Sequence, residues 1–398
     1  MRRAVMSGRN GRVSELYGLF RPIIRLFPVL LGVALFGAST SVAISASRDW
    51  RVWPFSRTSP WNMPVGSDAR YAAVPGLDTI PAGLNHNGRW TSAVIVSTAD
   101  DPTVPVRVNT SWENSNWRLL ASGKPNCHNT AKDEQAIVDR LRTSRQVFPA
   151  NPWSTLSPVK TDWQLPASYH SAAADFRARV HLRAGACPSP DTDGLMANFQ
   201  PDGWVLDTYA TIVLGNGEII SDGVASFVDA KADGTGWWNG RRASMLPSFA
   251  GLIRNGEIAA GRIPHALAMI MATRLLARQA AWPALAFDRD SASYAGPLPM
   301  GALLAIPPTV AIETLGLTKT GRILARAAQD YGVYIVDSTG DYGATLLAEL
   351  GNPEIRWRGW QDDVAIVVHH LEQITNNSAA TPGGGGRPRA ALAPDFRD

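Results

Sequence analysis

Cysteine is nearly absent from this chain: two among 398 residues, Cys127 and Cys187, with no Cys-x-x-Cys pair and no metal-ligand spacing. A cysteine-ligated metal is therefore not expected, and no metal site or cofactor is assigned. Charge is also scarce, at 18% of residues, and the formal net charge is only +4. No stripe of Lys and Arg with interleaved aromatics runs through the chain, so nucleic acid is not an expected partner. The G-x-S-x-G elbow, the P-loop, the Rossmann glycine fingerprint and H-E-x-x-H are all missing. Activated-serine hydrolysis, nucleotide chemistry and zincin proteolysis lose their usual signatures with them. No repeat of 20–50 residues is present.

What is present begins with a hydrophobic content of 45%, which suits a globular chain and argues against global disorder. Fourteen Trp and 28 Pro are both high counts. Most of the indoles belong in a core, while a few on a β-protein surface would suit stacking on sugars. The positive surplus sits near the N-terminus, where Arg2, Arg3, Arg9, Arg12, Arg21 and Arg25 face only Glu15. An apolar stretch, residues 23–44, follows. Residues 1–46 thus read as a signal peptide, with an uncleaved inner-membrane anchor through 23–44 as the rival. Export to the periplasm or beyond fits the two cysteines. A Cys127–Cys187 disulfide would close a loop of about 60 residues and stabilise the fold by roughly 3–4 kcal/mol.

Beyond residue 46, short apolar runs alternate with turn signals, namely PDG, GNG, SDG and DGTG. Strands are expected at 94–96, 104–108, 176–182, 195–199, 204–209, 219–220, 224–229, 303–306 and 333–336. Helices are expected at 130–142, 320–330 and 361–374. His265–Arg278 is open between buried strand and helix. These elements predict a mainly β chain: one β-sandwich of jelly-roll type over 47–375 with a few inserted helices. The GGGG-containing segment 376–398 reads as a disordered tail.

Five segments, DTDGLMANFQPDGWVLDTY, RRASMLPSFAGLIRNGEIAAGRIPHAL, WPALAFD, LPMGALL and ILARAAQDYGVYIVDSTG, follow SPWNMPV in order. Together they resemble a family of exported bacterial proteins, mostly of unassigned function, that read like carbohydrate-active jelly rolls. The resemblance covers about Trp53–Gly340. It implies a polysaccharide or oligosaccharide partner and a glycoside hydrolase or polysaccharide lyase. The chain departs from the family pattern at Gly194-Leu195, where Arg-His is expected, and at Asp207, where Glu is expected. Those departures support the alternative of a non-catalytic glycan-binding or envelope-structural protein.

Asp193 and Asp207 lie in or beside neighbouring strands and are the candidate catalytic carboxylates of a hydrolase. His265, or Tyr209, would serve as base in a lyase, with Arg254 clamping a uronate through its planar fork. A plainer reading pairs Arg254 with Glu257 and leaves His265 as a structural residue. Trp237 and Trp238 are the candidate stacking indoles. Asp288 and Asp290 lack enough companion ligands for Ca²⁺, and Asp337 and Asp341 are possible polar members of a site. The oligomeric state is not readable from the sequence.

Overall fold

The strand Leu267–Met271 lies in the middle of a seven-stranded sheet and is buried on both faces along its whole length. That double burial explains its continuous apolar run, which periodicity alone does not separate from a helix. The ambiguous stretch is thus a strand, and after a short turn it continues as a second one, Leu276–Ala280. This computed structural model describes residues 47–397, except 89, 110–114, 144–177, 223–225, 237–239 and 289–290. Residues Ser45–Asp398 form one compact unit. The expected signal or anchor segment lies outside the described residues. Among the described residues no helix is long and apolar enough to cross a membrane.

The protein is mainly β with few helices. The large sheet runs Tyr71–Ala72, Glu372–Ile374, Leu303–Ala305, Val333–Ser338, Leu267–Met271, Ala344–Leu347, Ala82–Asn85. A middle sheet runs Ser226–Asp229, Trp204–Thr208, Met196–Phe199, Ala93–Val96, and an outer sheet runs Ala178–His181, Thr103–Asn109, Ile219–Asp222, Ile212–Val213. A two-stranded ribbon pairs Leu276–Ala280 with Leu298–Met300. Parallel ladders join Leu267–Met271 to Val333–Ser338, Ala93–Val96 to Met196–Phe199, and Thr103–Asn109 to Ile219–Asp222. Mixed sheets of this kind differ from the purely antiparallel pairing of Greek keys, because several neighbours in space are far apart in sequence.

Alternation along the strands shows how the layers share cores. Leu267, Met269, Val333 and Ile335 face Leu324 and Ala328 of one helix and Val364 and Val367 of another. The other face, with Ala268, Ile270, Tyr334 and Val336, meets Ala197, Phe199 and Val205 of the middle sheet. The reverse side of the middle sheet, Met196 and Leu206, meets Val106, Val180 and Ile219 of the outer sheet. Ile212 and Ile220 then pack on Leu120 and Ile137. The four α-helices among the described residues are α1 (Asn116–Ala121), α2 (Ala131–Thr143), α3 (Lys319–Asp330) and α4 (Trp360–His369).

Local signals account for the helix ends. The Thr130 hydroxyl accepts from the Asp133 N–H, and the Thr318 hydroxyl accepts from the Gly321 N–H, the N-cap arrangement that satisfies otherwise orphaned donors. Gly332, at φ 84°, follows α3. α4 ends at His369, five residues before the expected limit, because Glu372–Ile374 leaves it to pair with two strands of the large sheet.

The C-terminal segment is a correction to the expected disordered tail. Phe396 bridges Arg48 and Pro388 bridges Gly66, while the Arg48 guanidinium donates to the Pro394, Trp53 and Pro54 carbonyls. The glycine run is a device for close approach. A Cβ at Gly383 would lie 2.5 Å from the Pro64 carbonyl oxygen, and one at Gly386 would lie 2.4 Å from Ser67 Oγ. Composition pointed to a disordered tail; packing required residues without side chains.

Candidate functional site

The site grows from a hairpin. Met196–Phe199 and Trp204–Thr208 pair antiparallel, with Ala197 opposite Asp207. Asp207 shares a strand face with Val205, which points toward the large sheet. There it is completely buried, and the Ser248 backbone N–H donates to its Oδ2 at 2.8 Å while the Ser248 hydroxyl donates to Oδ1. Burial pushes its pKa up, the Ser248 bonds pull it back, and the result is about 6.

Just before the hairpin, the loop Cys187–Gly194 is held in several ways. The expected disulfide joins Cys127 to Cys187, with 5.9 Å between the Cα atoms. Asp191 accepts from the Ser189 hydroxyl and the Gly194 N–H, each at 2.9 Å. Gly194 has φ +45°, and a Cβ there would sit 2.6 Å from the Thr211 nitrogen, so glycine lets the loop lie against the next turn. Asp193, partly exposed, is thereby fixed with its side chain hydrogen-bonded to the Tyr209 hydroxyl. Burial raises the Asp193 pKa first and Asp191 adds to it; Arg242 and Tyr209 oppose, leaving it at about 7. Burial and the surrounding carboxylates, Asp193 foremost, push Tyr209 well above its ordinary value.

Arg242 is the hub. It is 3% exposed, and its guanidinium donates to the Trp90 carbonyl at 2.6 Å and the Ser248 carbonyl at 3.0 Å. Asp337, Asp207, Asp193 and Asp191 all lie within its electrostatic reach. Burial lowers its pKa and those carboxylates resist the fall. Asp337 reaches this group because of a β-bulge. The ladder with Leu267–Met271 pairs Met269 with Ile335 and then Ile270 with Asp337, skipping Val336. Asp337 therefore shares the face of Ile270 and looks toward the middle sheet. Burial, with Asp288 next, lifts its pKa well above the carboxylate range. The Tyr294 hydroxyl donates to Asp288.

Asp191 and Asp193 line a groove of about 980 Å³ whose wall includes Trp90, Asn126, the disulfide and Leu350. Trp90 is partly exposed, with φ 61°. Asp191 accepts from its backbone N–H at 2.9 Å while Arg242 holds its carbonyl. Its ring lies 6.1 Å from that of Tyr342, which is 71% exposed. An aromatic pair thus flanks an acid-rich centre. His128 approaches the two cysteine sulfurs closely enough to suggest a metal ligand set, but oxidation to the disulfide removes both thiolates that such a site would use.

The structure thus gathers Asp193, Asp207 and Tyr209, and adds Asp337, Asp288 and Arg242. Two expected members are elsewhere. His265 Nε2 lies 3.0 Å from Glu257 Oε1, and its Nδ1 bonds the Ala266 carbonyl. With Arg254 it lines a cavity of only about 10 Å³, room for little more than one water. The Arg254 Nε donates to Glu349 at 3.0 Å and its Nη2 to the Arg51 carbonyl. Glu257 accepts instead from the Arg254 backbone N–H. Both side chains are spent on joining loops, a correction to the catalytic role for His265 and the uronate clamp for Arg254. Asp341 is an exposed partner of Thr273. Trp237, Trp238 and Asp290 lie outside the described residues. The Arg241-Arg242 pair in NGRRAS was a visible signal for the hub; nothing in the sequence flagged the backbone conformation of Trp90. No family model, curated protein or solved structure matches this chain.

Proposed function

We propose that this chain is an exported glycoside hydrolase acting in the Asp193 groove. The carrying observation is the convergence of Asp193 and Asp337 on one buried arginine, with Asp193 lifted to about 7. A carboxyl that keeps its proton near neutrality can pass it to a glycosidic oxygen, while an ionised partner removes a proton from the attacking water. Arg242 supports the ionised member. The bond from the anomeric carbon to the leaving oxygen breaks, the carbon gains the water oxygen, and the two protons end on the leaving sugar and on the partner carboxyl. Asp207, sealed from solvent, serves as a positioning residue that holds Ser248 and Arg242.

Hydrolysis is favoured over lyase chemistry because the candidate bases are unsuited. His265 is tied to Glu257, and Tyr209 holds its proton more tightly than usual. Stacking of the three sheets through shared cores supports the sandwich reading of the fold, with its jelly-roll kinship resting on the resemblance. The disulfide and the basic, apolar N-terminal segment support export.

The test incubates the protein with bacterial and plant polysaccharides and follows reducing ends together with absorbance from unsaturated uronates. New reducing ends without unsaturated products are expected, and their loss in Asp193→Asn. Unsaturated products would replace this reading with a lyase. The sealing of Asp207 favours a second reading, a glycan-binding protein, and binding without either product would establish that instead.

A further inference from the structure

A second groove, of about 650 Å³, adjoins the acid-rich one and has Asn87 as a common wall. Its lining has the opposite character. Arg356 and Arg358 are exposed, Trp357 and Trp360 are half-buried, and His86 completes the set. Two neighbouring carboxylates, Glu354 and Asp363, are engaged elsewhere. Glu354 accepts from the N–H groups of Gly256, Ile258 and Ala259, and Asp363 accepts from Thr318 and from the Trp357 indole at 2.6 Å. Among the described residues Arg356 reaches only His86, by a long 3.5 Å contact from its Nε, and Arg358 makes no ion pair. Burial, and then Arg356, lower the His86 pKa, which leaves the ring neutral and able to accept from that arginine.

We propose that this groove binds an anionic substituent of the same polysaccharide whose neutral sugar enters the Asp193 groove. The proposal rests on the glycan reading of the first groove. Guanidinium forks suit carboxylate, sulfate or phosphate oxygens, and half-exposed indoles suit the faces of sugar rings. The polarity along the joined grooves selects the polymer. A nucleic acid carries a phosphate on every residue and would place some of them against Asp191 and Asp193. A glycan with spaced charges avoids that repulsion.

The test measures binding to the Asp193→Asn variant, which blocks turnover, using polygalacturonate, chondroitin sulfate and a phosphorylated mannan as probes. Dextran and a single-stranded oligonucleotide serve as controls. The expected result is salt-sensitive binding of at least one polyanionic glycan, weakened about tenfold or more by Arg356→Ala with Arg358→Ala and partly retained by the corresponding Lys pair. Binding unchanged by the Ala pair overturns the proposal, as does binding of no anionic probe or equal affinity for the oligonucleotide. If the wild-type protein releases no reducing ends yet binds through these arginines, the hydrolase reading falls and the groove assignment stands. If it releases reducing ends while the arginines prove irrelevant, the reverse holds. Melting temperatures of both variants control for folding.

Discussion

Asp337 pairs with Ile270 across the central ladder, although strict alternation along its own strand would set it beside Val333 and Ile335. One skipped residue, Val336, moves a carboxyl from an apolar helix–sheet core to the acid centre around Arg242. Asp337→Asn and Asp193→Asn should each lower hydrolysis by about 10²–10⁴-fold, the usual span for a general acid or base. Neither should lower the melting temperature, because each removes one carboxylate from a crowded group. A variant of either residue with near wild-type turnover would remove it from the chemistry.

Asp207 predicts a pH dependence of stability. Its folded pKa, about 6, lies above the ordinary carboxylate value, so the folded state binds this proton more tightly than the unfolded chain does. The stabilisation is complete below about pH 4 and is lost as pH rises through about 6. Asp207→Asn removes the titration and adds a constant offset, since one Ser248 donor loses its acceptor. Relative to wild type, the variant should gain about 2–3 kcal/mol between pH 4 and 7. Denaturant unfolding at a series of pH values checks this, and a constant difference would contradict it.

Trp90 offers its ring to the groove while its backbone is held by Asp191 and Arg242. Trp90→Ala should weaken glycan affinity by about 1–2 kcal/mol, in the range of aromatic contacts in binding sites. The loss should appear in KM more than in kcat. The measurement is a KM–kcat comparison on one polysaccharide, and a loss confined to kcat would point to misplacement of Asp191 instead.

His265 follows the same sign as Asp207 but stands outside the chemistry. Burial alone would lower its pKa, but Glu257 and the Ala266 carbonyl raise it overall. The ion pair is therefore complete below the ordinary histidine value and weakens as pH rises through the raised one. His265→Ala leaves Glu257 buried without its partner and should cost about 3–5 kcal/mol. The shape of the pH–rate profile should stay as in wild type, measured at a temperature where the variant is folded. A lost limb in that profile would return His265 to the chemistry.

Much of the middle of the fold was legible in particular residues. Thr130 marked a helix start, Gly332 marked a stop, and the PDG turn announced the hairpin that carries Asp207. Neighbouring strands could bring Asp193 and Asp207 together, and both lie within the electrostatic reach of Arg242. Less was legible where one residue breaks a period. The bulge at Val336 leaves no trace in composition, and the parallel partners of Leu267–Met271 lie far away in the chain. His265 and Arg254 looked chemical because lone polar residues beside apolar runs look alike whether they meet a substrate or a buried carboxylate. Only the positions of Glu257 and Glu349 decide between those fates.

The bridge between Arg48 and Phe396 sets the beginning and the finish of the folded unit side by side. Topologically this unit is almost a ring, interrupted at one place. Joining those ends with a brief spacer and cutting instead at the exposed turn around Gly316, where no neighbour lies within 4 Å of an added Cβ, would preserve every ladder described above. The architecture depends on which segments meet, and is indifferent to which of them is synthesised first.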